Sequence, residues 1–220
     1  MSACEGLDVV LAELRACRVC RDTPAFLPAL PHEPRPVIRA SATARLCIAG
    51  QAPGTRVHAS GTPFTDPSGV RLRGWLGLDE AAFYDERRLA IVPMGHCFPG
   101  LDSKGGDLPP RRECAPLWRA RIFSALPRVE LVLAIGLYAQ RWHLGAAAGA
   151  GLSATVANWR EILARPGRPR VLPLPHPSWR NNAWLKRNPW FDEELLPALR
   201  REVRSLMADS PDATGDGRCE

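Results

Sequence analysis

Lysine is almost missing from this chain. Of 29 basic residues among its 220, 27 are arginine, leaving only Lys104 and Lys186. No stretch of eighteen uninterrupted apolar residues occurs, so no membrane-crossing helix is expected. Met1–Val10 holds Glu5 and Asp8 and no basic cluster, which argues against a secretory leader and for a cytosolic protein. No internal repeat is present. Hydrophobic residues make up 45%, charged residues 24% and aromatics 7%, values that exclude a disordered chain, a collagen-like repeat and a coiled coil. The length suits one large domain or two very small ones.

The charge balance points outward. A net charge of +6, carried almost wholly by arginine, suits bidentate phosphate contacts and stacking, which makes a nucleic-acid partner plausible. A genome with arginine-favouring codons accounts for the same excess. Seven cysteines in a cytosolic chain favour metal binding or catalysis over disulfides.

Residues 7–16 show helical spacing and run into Cys17 and Cys20, and the proline-rich stretch 23–44 reads as an extended connector across the surface. Four short apolar runs follow, at 45–49, 89–93, 130–135 and 170–174. Helical patterns at 68–77, 80–84, 111–125, 137–143 and 153–164 fall between them, and an amphipathic segment at 192–208 comes last. Short buried strands alternating with helices predict an α/β fold, a three-layer α/β/α sandwich around a central, mostly parallel four-stranded sheet. The expected domain is a single unit over 1–208, with 1–44 packed on it and a flexible tail at 209–220.

In such sheets ligands bind beyond the carboxyl ends of the strands, and the informative residues fall there. Gly50-Gln51-Ala52-Pro53-Gly54 follows the first run, Met94-Gly95-His96-Cys97 the second, and Pro175-His176-Pro177-Ser178 the fourth. The glycine turn allows a close backbone approach to a ligand, although alone it is commonly just a turn. Phe64, in a Gly/Pro loop, is placed either to stack on a flat base or to plug the core. His176, fixed between prolines, is a positioned acid or hydrogen-bond donor, or else a histidine satisfied by a loop carbonyl. Trp179 to Phe191 interleave aromatics with Arg180, Asn181, Asn182, Lys186 and Arg187, a mixture suited to gripping phosphates and entering a base stack. Trp184, Trp190 and Phe191 serve equally well as core anchors. Cys17 and Cys20 form a short pair, whereas sixteen residues separate Cys97 from Cys114. That layout suits an iron–sulfur cluster at least as well as zinc. Cys47 alternates within a strand and reads as core.

Strand, Gly-Gln-Ala-Pro-Gly, a Pro-Phe ten residues on and a late His-Pro-Ser together resemble the uracil-DNA glycosylase superfamily. The cysteine layout resembles its iron–sulfur branch, the family-four type. The resemblance covers roughly 7–204 and implies a monofunctional hydrolase of DNA repair, which flips uracil out of DNA and cuts its N-glycosidic bond. It implies that Gln51, Ala52 and His176 act in catalysis, His176 by bonding the uracil O2. Gly50, Gly54 and Phe64 would contact the base. Ser178, Trp179, Arg180, Asn181, Asn182, Lys186 and Arg187 would hold DNA. Cys17, Cys20, Cys97 and Cys114 would carry a structural four-iron four-sulfur cluster, with zinc the lesser alternative. Uracil-containing or abasic DNA is then the partner, and the protein a nucleoid-associated monomer. No lysine falls in a pocket motif, so a Schiff-base lyase step is not expected. Two positions depart from the pattern. Ala52 stands where the superfamily's best enzymes place a water-positioning Asp or Asn, although Ala is also normal in the family-four and family-five turns, and Ile91 to His96 lack the Asn that reads the uracil edge. His96, or a backbone amide near Met94 and Gly95, is expected to substitute. A lesion- or abasic-site-binding protein with weak turnover is the alternative reading.

Overall fold

A computed structural model describes residues 6–208. Helices α1 (Leu7–Arg15) and α2 (Val19–Asp22) precede strand β1 (Leu46–Ala49). Then come α3 (Thr55–Ser60), α4 (Pro67–Leu76), α5 (Glu80–Phe83) and strand β2 (Leu89–Ile91). Helix α6 (Cys114–Ser124), strand β3 (Leu131–Ile135), α7 (Gly136–Leu144), α8 (Leu152–Ala157) and α9 (Trp159–Leu163) follow. Strand β4 (Arg170–Leu174), α10 (Asn182–Arg187) and α11 (Leu196–Ala208) complete the chain. The sheet order is β2-β1-β3-β4, and every pairing is parallel.

Side chains alternate across the sheet and divide two cores. Leu46, Ile48, Leu131, Leu133, Leu172 and Leu174 face one side, where Leu72 and Trp75 of α4 and Leu199 and Val203 of α11 cover them. Cys47, Ala49, Ala90, Val132 and Ala134 face the other, against Leu11 and Leu14 of α1 and Trp118 and Ile122 of α6. Each fully buried Leu or Ile contributes about 1.5–3 kcal/mol relative to exposure. This is the expected three-layer α/β/α sandwich. Pro173 pairs with Ala134 inside β4, and it is tolerated because β4 is an edge strand.

Three segments differ from expectation. The 23–44 connector does not merely cross the surface: Leu30, Val37, Ile38 and Ala40 are buried. Arg39 also exchanges backbone hydrogen bonds with Ile91 (3.1 and 2.7 Å), covering the free edge of β2. The 153–164 pattern divides at Asn158 into α8 and α9. Short helices α2, α3 and α10 were not anticipated, because four to six residues carry too little periodicity to register. The expected tail, Cys4 and Cys219 lie outside the described residues.

Candidate functional site

The strand-exit turn after β1 is locked from beside it. Met94 N–H donates to Gly50 O and Gly95 N–H to Gln51 O, each at 2.9 Å, so the β1–β2 pairing continues past both strands. Gly95 leaves no room for a side chain, since a Cβ there would stand 2.9 Å from the Pro110 Cβ and 3.5 Å from the Ala52 Cβ. Ala52 therefore packs against an apolar wall.

Phe64 lies above this turn, its Cζ 3.7 Å from where a Gly50 side chain would begin. Its φ of 57° is the only positive value at a non-glycine residue among those described. Such backbone strain costs about 1–3 kcal/mol and persists only where the surroundings enforce it. They do here. Tyr84 Oη donates to Pro63 O at 2.8 Å, and Asp66 caps α4 by accepting from Gly69 N (3.2 Å) and Ser68 Oγ (2.6 Å). The Phe64 ring meets the buried Phe83 edge-on.

At the end of β4, the His176 ring is largely buried. Ser178 N–H donates to its Nδ1 at 3.2 Å, so in the neutral ring the proton sits on Nε2, free to donate outward. Burial lowers the His176 pKa, opposed by the charges of Asp66 and Asp107, and this keeps the ring neutral at pH 7. Asn181 Nδ2 holds the His176 carbonyl at 2.7 Å.

Asp107 is the residue that sequence reasoning missed. The loop after β2 folds back on itself, with Asp102 Oδ1 accepting from Lys104 N and Gly106 N at 2.8 Å and Leu108 N–H donating to Gly100 O. Gln51 Nε2 ties it down through Leu108 O at 3.2 Å. This places the Asp107 carboxylate 3.4 Å from where a Gly54 side chain would begin, within the fields of His176 and Arg180. Desolvation raises its pKa, with Arg180 and His176 opposing. The available signal was an acid between Gly-Gly and Leu-Pro-Pro, a constrained loop at a strand end.

Five residues expected to meet base or DNA are placed as follows in the fold. Met94 and His96 are buried, Met94 in the core under α1 and α6, and both amides proposed to read a base edge are committed to Gly50 and Gln51. His96 instead lines the cavity of the cysteines. Asn181 Nδ2 is spent on the His176 carbonyl, whereas Asn182 stays exposed and only its Oδ1 accepts, from Arg71 Nη1 (2.8 Å). Ser178 caps the short turn Trp179–Asn181 by accepting from Arg180 N. What remains available outward is Trp179, which is 72% exposed with Arg180 over its ring, followed by exposed Asn182, Lys186 and Arg187 on α10. Trp184 is buried, with its Nε1 donating to Ser153 Oγ, and it joins Trp190 and Phe191 in the core. Arg111 is occupied by the carbonyls of Phe26 and Pro28 and by Glu113.

Cys17, Cys20, Cys97 and Cys114 all line one cavity, otherwise walled mainly by Leu14, Leu30, Pro34 and Pro36. All four are free thiols. Burial pushes Cys97 and Cys114 up to about 12, so in an empty cavity they stay protonated, whereas bound metal deprotonates them outright. No three His, Cys, Asp or Glu among the described residues stand close enough to share a single ion. Four thiols spread around one apolar cavity are a donor set suited to a polynuclear cluster, in which each iron takes one thiolate. Cys47 is fully buried in β1, as expected of a core residue.

Residues 38–200 match the family model of the uracil DNA glycosylase superfamily. The match spans all four strands and each cleft residue described above.

Proposed function

The chain belongs to the uracil DNA glycosylase superfamily, and on that premise we propose that it hydrolyses the N-glycosidic bond of uracil in DNA. The observation that carries this reading is the locked tautomer of His176 at the same end of the sheet as the Phe64 platform. Leaving of uracil puts negative charge on its O2. A neutral imidazole whose Nε2–H points outward stabilises that charge without requiring a proton to be lost. One such donor is worth about 10²–10³ in rate. The flipped base stacks on Phe64 over Gly50. Asp107 positions and deprotonates the attacking water, the work for which Ala52 has no polar atom. Trp179 enters the space left in the duplex, offsetting the few kcal/mol that flipping costs, while Arg180, Lys186 and Arg187 meet phosphates. Cys17, Cys20, Cys97 and Cys114 hold a four-iron four-sulfur cluster, whose contribution is cross-linking of α2, the post-β2 segment and α6 rather than chemistry on the base.

The absent Asn and the committed Met94 and Gly95 amides favour a second reading, a lesion-binding protein that retains abasic DNA and turns over slowly. Base release from oligonucleotides carrying uracil, hypoxanthine or a pre-formed abasic site separates the two. Alkali-labile cleavage at uracil within minutes supports the glycosylase. Retention of the abasic strand in a gel without cleavage at any base supports the binder.

A further inference from the structure

Arg119 is a buried cation without an anion. The residue is 1% exposed, on α6 five positions after Cys114. Its Nη1 donates to Val92 O and Pro93 O at 3.2 Å each, Nη2 contacts His143 Nε2, and Nε has no partner. The Phe123 ring covers one face of the guanidinium, 4.9 Å from its centroid. Every contact is to a neutral group. The groups able to become anionic near it are the thiols of Cys47 and Cys114. Even partly exposed arginines in the fold have carboxylates, as Arg45 has Glu130 and Arg170 has Glu202. Desolvating an unpaired cation costs several kcal/mol. The pKa falls only to about 10, so the charge persists at pH 7.

His96 presents the same deficit. Its ring is 1% exposed, lines the cysteine cavity, and leaves both nitrogens buried and unpartnered, while its backbone N–H donates to Cys114 Sγ at 3.3 Å. One of those nitrogens always carries a proton to donate. His96 thus brings a spare N–H to the wall of a cavity lined by four thiols, while the Arg119 charge lies behind that wall, on the backbone that leads to Cys97. Arg18 and Arg111, the cations that do line the cavity, are already paired with carboxylates. Four thiolates around a four-iron four-sulfur core make a dianion in the oxidised state, and such a group supplies what both side chains lack.

We propose that His96, in the cavity wall, and Arg119, behind it on the Val92–Pro93 backbone, form an electropositive backing that retains the cluster held by Cys17, Cys20, Cys97 and Cys114 and sets its reduction potential. The proposal rests on the cluster reading given above. Both are positioning residues. Arg119 balances the net charge while fixing the Val92–Pro93 backbone that leads to Cys97, and His96 donates to a cluster sulfur. Removing nearby positive charge disfavours the added electron, so the potential falls when Arg119 is neutralised.

The test compares the full chain purified without oxygen as wild type, Arg119→Lys, Arg119→Gln and His96→Phe. The readouts are iron and sulfide per chain, the rate of bleaching by an iron chelator, and a redox titration followed by electron paramagnetic resonance. Arg119→Gln is expected to bleach at least tenfold faster. It should also need a potential lower by about 59 mV, a tenfold change for one electron, to reach the same reduced fraction. Arg119→Lys keeps the charge and should stay within threefold of wild type. His96→Phe keeps the packing, loses the donor, and should bleach at least threefold faster. Arg119→Gln or His96→Phe matching wild type within twofold overturns the proposal. So does an Arg119→Lys as labile as Arg119→Gln, since packing would then explain the loss. If Arg119→Gln yields no folded protein, His96→Phe decides by the same threshold, and an Arg119→Lys that bleaches more than threefold faster than wild type overturns the role of the charge. Failure of the underlying reading looks different: a wild type with zinc or no iron overturns the cluster and this backing together, whereas a brown wild type with unmoved variants overturns only the backing.

Discussion

Replacing Gly69 with alanine should disable the cleft without altering any polar group in it. A Cβ at position 69 would stand 1.8 Å from the Phe64 carbonyl oxygen, 2.6 Å from its carbonyl carbon and 2.9 Å from its Cβ. These are backbone and near-backbone atoms, so no side-chain rotation relieves the clash. The Phe64 carbonyl must retreat by more than an ångström. It cannot slide freely, because Tyr84 Oη holds Pro63 O on one side and the Asp66 cap anchors the other. The loop must lift, taking the ring away from Gly50. Overpacking of this kind costs about 1–3 kcal/mol, and at roughly 2–4 °C per kcal/mol for a chain of this size the melting temperature should drop by several degrees. Displacing a positioning group by about 1 Å costs on the order of 10²-fold in rate. Thermal unfolding and single-turnover base release from a uracil oligonucleotide, measured on the same preparation, read the two effects. Phe64→Leu supplies the control: it fits the space but offers no flat face, so base release should fall with little change in melting temperature. A Gly69→Ala protein that melts several degrees lower yet releases base within twofold of wild type would show that the ring's position over Gly50 does not matter.

Three other substitutions probe the cleft and the core. His176→Ala should remain folded and lose about 10²–10³ of single-turnover base release, the worth of a donor at a developing anion; an undiminished rate removes His176 from the reaction. Asp107 must be ionised to take a proton from water, so base release should decline in acid as pH drops through its raised pKa. Asp107→Asn should lower the rate at least tenfold and abolish that acid limb, and a limb that persists in the variant belongs to another group. His143, held neutral by burial beside Arg119, has its pKa lowered to about 3 from the 6.5 of the unfolded chain. Unfolding therefore takes up a proton at this site only below about pH 6.5, and the stability it confers is lost as pH falls toward 3, at about 1 kcal/mol per pH unit. Denaturant unfolding of His143→Gln should show a shallower acid slope, and an equal slope would place the proton uptake elsewhere.

The sheet was legible because its four strands are short runs of branched residues with nothing polar inside, and the strand ends carried the cleft. The turn at Gly50, Phe64 and His176 follow from local chemistry that a sequence displays directly. Asp107 did not, because its place depends on the local Asp102 turn being tied down by Gln51 reaching Leu108, a contact 57 residues apart in sequence. His96 misled for the complementary reason. It sits at a strand end, where ligands bind, but the backbone of Met94 and Gly95 turns inward to hold Gly50 and Gln51, which carries the next side chain into the core. In the segment after His176 the composition alone was ambiguous. Ser178, Asn181 and Asn188, with Trp184, Trp190 and Phe191, are spent on the fold, and only the position of each in a turn or helix decides which residues remain for DNA.

The backbone from Val92 to Cys97 belongs to both functional regions, which explains why it has no freedom to read a base. Val92 and Pro93 carbonyls accept from Arg119, Met94 and Gly95 amides donate to the strand-exit turn, and the His96 amide donates to Cys114 Sγ. The His96 carbonyl accepts from Val37 N at 2.7 Å, tying in the connector as well. Every residue from 92 to 96 thus spends a backbone group on a neighbouring element, and the next is itself one of the four cavity cysteines. Each such bond contributes about 1 kcal/mol net, so freeing the Met94 and Gly95 amides for a ligand would cost about 2 kcal/mol and unhook the turn that positions Gly50 under Phe64. On the glycosylase reading, the base edge is then met by other groups of the site. The cysteine cavity is tied to the strand-exit turn through the six residues 92–97.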